Sequence, residues 1–163
     1  MEVRIAGIVR ESVVDGPGIR YAIFAQGCPH LCKSCHNPET HDMSGGSFYD
    51  ISAIIGEIED NPLLDGVTFS GGEPFCQCAA FSEIAKRLSD KYNIRCYTGY
   101  LYEELKAMNK PEVDELLSYI DVLVDGRYID ELRDFRLRFK GSSNQREIYC
   151  KKSIAEGRLV LVE

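Results

Sequence analysis

The sequence predicts an α/β protein: an open, partial (β/α) barrel of about five or six parallel strands with helices on its outer face. Three observations carry this expectation. Apolar runs with strand character alternate with helical stripes along the chain, the pattern of βαβ units and a parallel sheet. The chain has 163 residues, whereas a closed eightfold barrel takes about 250. The polar, glycine- and cysteine-bearing segments each follow a strand, where a parallel α/β sheet gathers its ligand-binding rim.

Taken in order, Val3–Val9 and Ile19–Ala25 read as strands separated by the turn-rich DGPG of Asp15–Gly18. Ile51, Ile54, Ile55 and Ile58 fall at i, i+3, i+4 and i+7, one apolar helix face. Val67–Ser70 is a short β run, and Phe81, Ile84, Ala85 and Leu88 repeat the helical spacing. Ile94–Thr98 is the next strand. Asn109, with Glu112 three residues later, reads as the capping box of a helix whose buried stripe is Val113, Leu116, Leu117 and Ile120. Asp121–Asp125 is a strand, and Arg158–Val162 is expected to be another. No repeat or long linker divides the chain, so residues 1–163 are expected to form one domain.

Composition narrows the function classes. Hydrophobic residues make up 44% and charged residues 28%, ordinary globular values. No apolar run reaches the roughly 20 residues of a membrane span, and the charged N-terminus is no secretory signal, so a cytoplasmic protein is expected. The net charge of −7 disfavours nucleic acid or an anionic membrane as partner. Arg133, Arg136, Arg138 and Lys140 form the one local basic run. Seven cysteines without a secretory signal point to reduced thiols and metal binding rather than disulfides.

Cys28, Cys32 and Cys35 stand in GCPHLCKSCHNPET with the spacing C-x3-C-x2-C. Three thiolates can hold three corners of a cubane iron–sulfur cluster and leave its fourth iron open, an arrangement made for chemistry rather than structure. The alternative is a Cys3His zinc site completed by His30 or His36; zinc ligands, however, more often come as two pairs separated by a dozen or more residues. A second segment, SGGEP at Ser70–Pro74, places two glycines and a carboxylate after a strand. Glycines let a backbone approach a ligand closely, and Pro74 restricts the conformation of Glu73. A plain strand-to-helix turn would read the same way.

Together the two motifs resemble the radical S-adenosylmethionine (SAM) superfamily. The resemblance implies that Cys28, Cys32 and Cys35 hold one [4Fe–4S] cluster (cluster loop 26–40) whose open iron is chelated by SAM. It also implies that Gly71, Gly72 and Glu73 (segment 70–74) receive the methionyl amino group, and that Ser34 and His36 lie beside the cofactor with Cys35. Many members carry an aromatic residue before the third cysteine; here it is Ser34, which leaves adenine packing to residues such as Tyr97 or Tyr100. DGPGIR at Asp15–Arg20, QGC at Gln26–Cys28 and HNPET at His36–Thr40 resemble the glycyl radical activating enzymes. VLVDGRY at Val122–Tyr128 and RFKGSSNQR at Arg138–Arg146 resemble the branch that acts on anaerobic ribonucleoside-triphosphate reductase. That branch implies a reductase partner, an electron donor such as a flavodoxin or ferredoxin, and no acid–base catalytic side chain. The pyruvate formate-lyase branch shares DGPGIR but not GSSNQR. The remaining cysteines, Cys76, Cys78, Cys96 and Cys150, lack ferredoxin spacing; Cys76 and Cys78, after GGEP, are placed where a helix N-terminus can lower a thiol pKa. His30 and His41 read as surface or loop histidines.

Overall fold

A computed structural model describes residues 1–163. The chain runs β1 (Glu2–Ser12), β2 (Arg20–Ala25), β3 (Ser47–Asp50), α1 (Ile51–Glu59), β4 (Gly66–Gly71), α2 (Cys78–Leu88), β5 (Asn93–Tyr97), α3 (Tyr102–Ala107), α4 (Pro111–Tyr119), β6 (Val122–Asp125), β7 (Arg146–Tyr149) and α5 (Cys150–Glu156). All seven strands form one open sheet in the order β3-β1-β2-β4-β5-β6-β7. Where the sequence reading expects five or six parallel strands, only β2, β4, β5 and β6 run parallel. β1, β3 and β7 are antiparallel. The reason lies in the connections. β1 returns directly into β2 through the Val13–Ile19 turn, and β7 follows β6 through a loop, so neither has the helical crossover a parallel pair needs.

Side chains alternate across a strand, and the in-register pairing divides them into two faces. One carries Tyr21, Ile23, Val67, Phe69, Ile94, Cys96, Leu123 and Ile148. These residues join the stripes of α1, α2 and α4 in a core of 28 buried residues. The stripes are those the spacing predicts: Ile51, Ile54, Ile55 and Ile58, then Phe81, Ile84, Ala85 and Leu88, then Val113, Leu116 and Leu117. The opposite face carries Arg20, Phe24, Thr68, Ser70, Arg95 and Tyr97. Loops cover it instead of helices. Thr68 donates to the Asp15 carbonyl at 2.8 Å, and Tyr97 donates to the Phe139 carbonyl at 2.6 Å. Arg20 is buried without a carboxylate partner; it donates to Thr68, to the Pro17, Val67 and Asn93 carbonyls and to the Asn93 side chain. Burial, followed by the nearby Arg95 charge, lowers its pKa to about 10.

Two boundaries differ from expectation. Asn109 adopts a left-handed conformation (φ 51°) outside the helix, which starts at Pro111 with no side-chain cap; a proline in the first turn forfeits no hydrogen bond and has φ preset. Arg158–Val162 is not a strand of the sheet. It meets β7 through an isolated bridge, Ile148 to Leu161, flanked by backbone bonds from Tyr149 N to the Val160 carbonyl and Val162 N to the Glu147 carbonyl. No helix is long and apolar enough to cross a membrane.

Candidate cofactor site

The loop after β2 carries the cysteines, and its base is fixed by the segment after β4. Gly72 N donates to the Ala25 carbonyl and Glu73 N to the Gly27 carbonyl, both at 2.8 Å, so the β2–β4 pairing continues past the strands into the cysteine loop. The two glycines make this possible. A Cβ on Gly71, whose φ is +88°, would lie 2.6 Å from Ala25 N, and one on Gly72 would lie 2.5 Å from the Gly27 carbonyl oxygen. Their small size thus serves backbone-to-backbone approach.

Cys28, Cys32, Cys35, His36, Gly71 and Gly72 line one cavity of about 450 Å³. They are joined there by Asp15 of the β1–β2 turn, by Tyr97 and Thr98 at the end of β5, and by Tyr128, Lys140, Gly141 and Gln145. The cysteine loop and the Gly71–Gly72 segment therefore meet at one place with Thr98–Gly99 after β5 and Gly126 after β6. The three cysteines are free thiols of intermediate burial, and burial raises the pKa of Cys28. Ser34 and Glu73 are not on the lining. Ser34 is exposed with φ 60°. Glu73 is fully buried behind the lining. Its carboxylate accepts from Thr98 Oγ1 (2.9 Å), Gly99 N (2.9 Å) and Phe75 N (3.1 Å), and Oε2 lies 2.7 Å from His30 Nε2.

His30 is accordingly no surface histidine: its side chain is 4% exposed, and its ring packs edge-on against Tyr100, with centroids 4.5 Å apart. Tyr100 is thereby held behind His30 and off the cavity lining, while Tyr97 reaches it. The aromatic that sequence reasoning missed is Tyr128, 4.8 Å from the His36 ring.

The GSSNQR segment, without a physical role in the sequence reading, acquires one. Gln145 accepts from Gly141 N and Ser142 N and donates to the Gly126 carbonyl. Asn144 donates to the Arg127 carbonyl at 2.8 Å. Arg146 pairs with the buried Asp125 and with Glu103. The segment thus ties the loop after β6 to the cavity wall. Arg146→Ala leaves Asp125 with only the Tyr102 N–H as donor, and is expected to lower stability by about 2 kcal/mol in urea unfolding.

Cys76 and Cys78 do not have lowered pKa values. Burial, followed by neighbouring carboxylates, pushes them up to about 11 and about 12. Cys78 also donates its thiol to the Phe75 carbonyl, and Cys96 and Cys150 are buried. Because raised values disfavour the thiolate, Cys78 is expected to resist iodoacetamide at pH 8 in the native protein and to react after denaturation, as read by mass spectrometry.

Residues 14–148 match the family model described as a 4Fe-4S single cluster domain. The anaerobic ribonucleoside-triphosphate reductase-activating protein of Vibrio cholerae is 38% identical over 143 residues, 82% of this chain and 89% of that protein. The proteins of the same description from Haemophilus influenzae and Escherichia coli K12 are 34% and 32% identical over 142 residues, again 82% of this chain and 89% and 90% of theirs. With its cysteine cavity, its GSSNQR segment and similarity of this extent, the chain belongs to the anaerobic ribonucleoside-triphosphate reductase-activating proteins of the 4Fe-4S single cluster domain family.

Proposed function

We propose that this chain is a radical SAM enzyme that generates a glycyl radical on anaerobic ribonucleoside-triphosphate reductase. The observation that carries the reading is the single cavity shared by Cys28, Cys32, Cys35, Gly71 and Gly72. The donor set fits a cubane cluster. Three half-buried thiols line the cavity, the donors that three irons of a cubane would take. Held there by Cys28, Cys32 and Cys35, a reduced cluster would supply the one electron for cleavage of SAM to methionine and a 5′-deoxyadenosyl radical, the species needed to remove a hydrogen atom from the Cα of a reductase glycine.

The chain's own residues position and shelter. Cys28, Cys32 and Cys35 hold three irons. Gly71 and Gly72 put main chain rather than side chain on the cavity wall at the methionyl end. Glu73 works from behind, holding that edge, the His30 side of the cysteine loop and the Thr98–Gly99 turn in register. His36 and Tyr128, with Tyr97, provide aromatic surface for adenine in place of a residue at Ser34. No side chain serves as acid or base. A sheet open at β3 and β7, with helices on one face and loops on the other, leaves the cavity accessible to a segment of a folded partner.

The test is electron paramagnetic resonance on a mixture of reconstituted protein, reductant, SAM and the reductase. The expected result is a glycyl doublet on the reductase. SAM cleavage without that signal would overturn the activase reading and spare the superfamily assignment.

A further inference from the structure

Between Tyr128 and Phe139 the chain forms a strap whose two feet line the cavity and whose middle leaves it for solvent. The strap is held to the cysteine loop by Lys33 and Glu131, 3.8 Å apart, and to the GSSNQR segment by the Arg133–Ser142 bridge. Its outer side is unusual for a free surface. Phe135 is 87% exposed, the most exposed large apolar side chain of the protein, and Ile129, Leu132 and the cysteine-loop residue Leu31 are exposed as well. The Arg133 guanidinium lies 4.9 Å over the Phe135 ring. The strap's acidic groups are already engaged: Asp134 with Arg136, Glu131 with Lys33, and Asp130 as acceptor from Tyr128. Arg133 and Arg138 have no carboxylate within ion-pair distance, and Arg138 stacks on Phe139. A protein of net charge −7 therefore presents two free guanidinium groups and an exposed aromatic ring beside the entrance to its cavity. Arginine and aromatic side chains are those that most often anchor protein interfaces.

We propose that this strap is the docking surface for the reductase, and that the reductase face beside its glycine segment is acidic with an apolar recess for Phe135. The inference rests on the activase reading above and adds where, and by what chemistry, the substrate protein is gripped. A partner that inserts a segment into the cavity must pass the strap, whereas an electron donor has no need to enter there. Charge complementarity between an arginine pair and an acidic face raises the encounter rate and fixes orientation, and the ring supplies the apolar anchor.

The experiment uses the reconstituted full-length protein, with reductase binding measured by calorimetry at two salt concentrations. Phe135→Ala is expected to weaken binding about tenfold or more. Arg133→Glu with Arg138→Glu is expected to weaken it further and to flatten its salt dependence. SAM cleavage by dithionite-reduced protein without the reductase should be unchanged in both variants, because none of the three side chains lines the cavity. Unchanged reductase affinity in both variants overturns the inference while leaving the activase reading intact. So does a loss confined to reduction by a flavodoxin or ferredoxin, which would place the donor on the strap. Wild-type protein that neither binds nor activates the reductase overturns the functional reading and this inference with it.

Discussion

Cys32→Ala is expected to give a folded protein that keeps less than about one-tenth of the wild-type cluster iron after anaerobic reconstitution, with loss of the brown absorbance and of SAM cleavage. The fold should survive because Cys32 lies in a loop, is only partly buried and takes part in the hydrogen-bond network only through its carbonyl, which accepts from Cys35 N; a substitution of that kind changes stability by about 0.5 kcal/mol. The effect on iron is large because two remaining thiolates cannot hold a cubane. Cys76→Ala is the control. That thiol lies outside the cysteine loop and off the cavity lining, its pKa is raised to about 11, and its removal should leave iron content unchanged. Equal iron loss in both variants would mean that the cluster is not held by the cysteine loop alone.

Glu73→Ala is expected to act on the frame rather than on the cluster ligands. Removing the carboxylate orphans the Thr98 hydroxyl and the Gly99 and Phe75 N–H groups and takes away the partner of a buried His30. The cost is on the order of 3 kcal/mol, readable as a lower urea midpoint with unchanged slope. Iron should still bind through the three cysteines. SAM affinity should fall, because the Gly71–Gly72 edge loses its backing. Glu73→Gln retains an acceptor oxygen for part of this network and should lie between Ala and wild type in both measurements. Lost SAM affinity with unaltered stability would show instead that the carboxylate contacts the ligand directly.

These two variants mark how far the sequence could be read. The cysteine spacing and SGGEP locate the site without coordinates, because short-range spacing survives folding as local geometry. The three helix stripes are legible for the same reason: a period of 3.6 is written directly in the isoleucines of α1 and the apolar residues of α2 and α4. Strand direction is not written in that way. β1 has the same alternation whether it runs parallel or antiparallel, and only its short connection to β2 decides; β7 is reached through the Gly126–Gln145 loop, which holds no crossover α-helix. β3 escaped notice because all four of its residues are exposed, so it carries no apolar pattern. The six residues of α3 bury only Leu105. Asn109 has the composition of a cap but the conformation of a turn, since Pro111 already supplies the preset φ that begins α4.

At the site, what the sequence could not disclose was long-range partnership. Glu73 reads as a ligand-facing carboxylate until Thr98, Gly99 and His30, up to 43 positions away, are seen to occupy it. His30 reads as a loop histidine until Tyr100 covers its ring. GSSNQR is a mark without mechanism until Gln145 and Asn144 are found bonded to the loop after β6. The position of Cys76 and Cys78 after GGEP points to lowered thiol pKa values, but burial dominates and raises both.

The most direct test of the central claim, a three-cysteine cluster with one open iron at which SAM docks, is Mössbauer spectroscopy of protein reconstituted with ⁵⁷Fe, recorded before and after addition of SAM. The account predicts about four irons per chain, with the signal of one of them shifted by SAM and the other three undisturbed. A spectrum in which no iron responds to SAM, or protein that retains no cluster under anaerobic conditions, would contradict it.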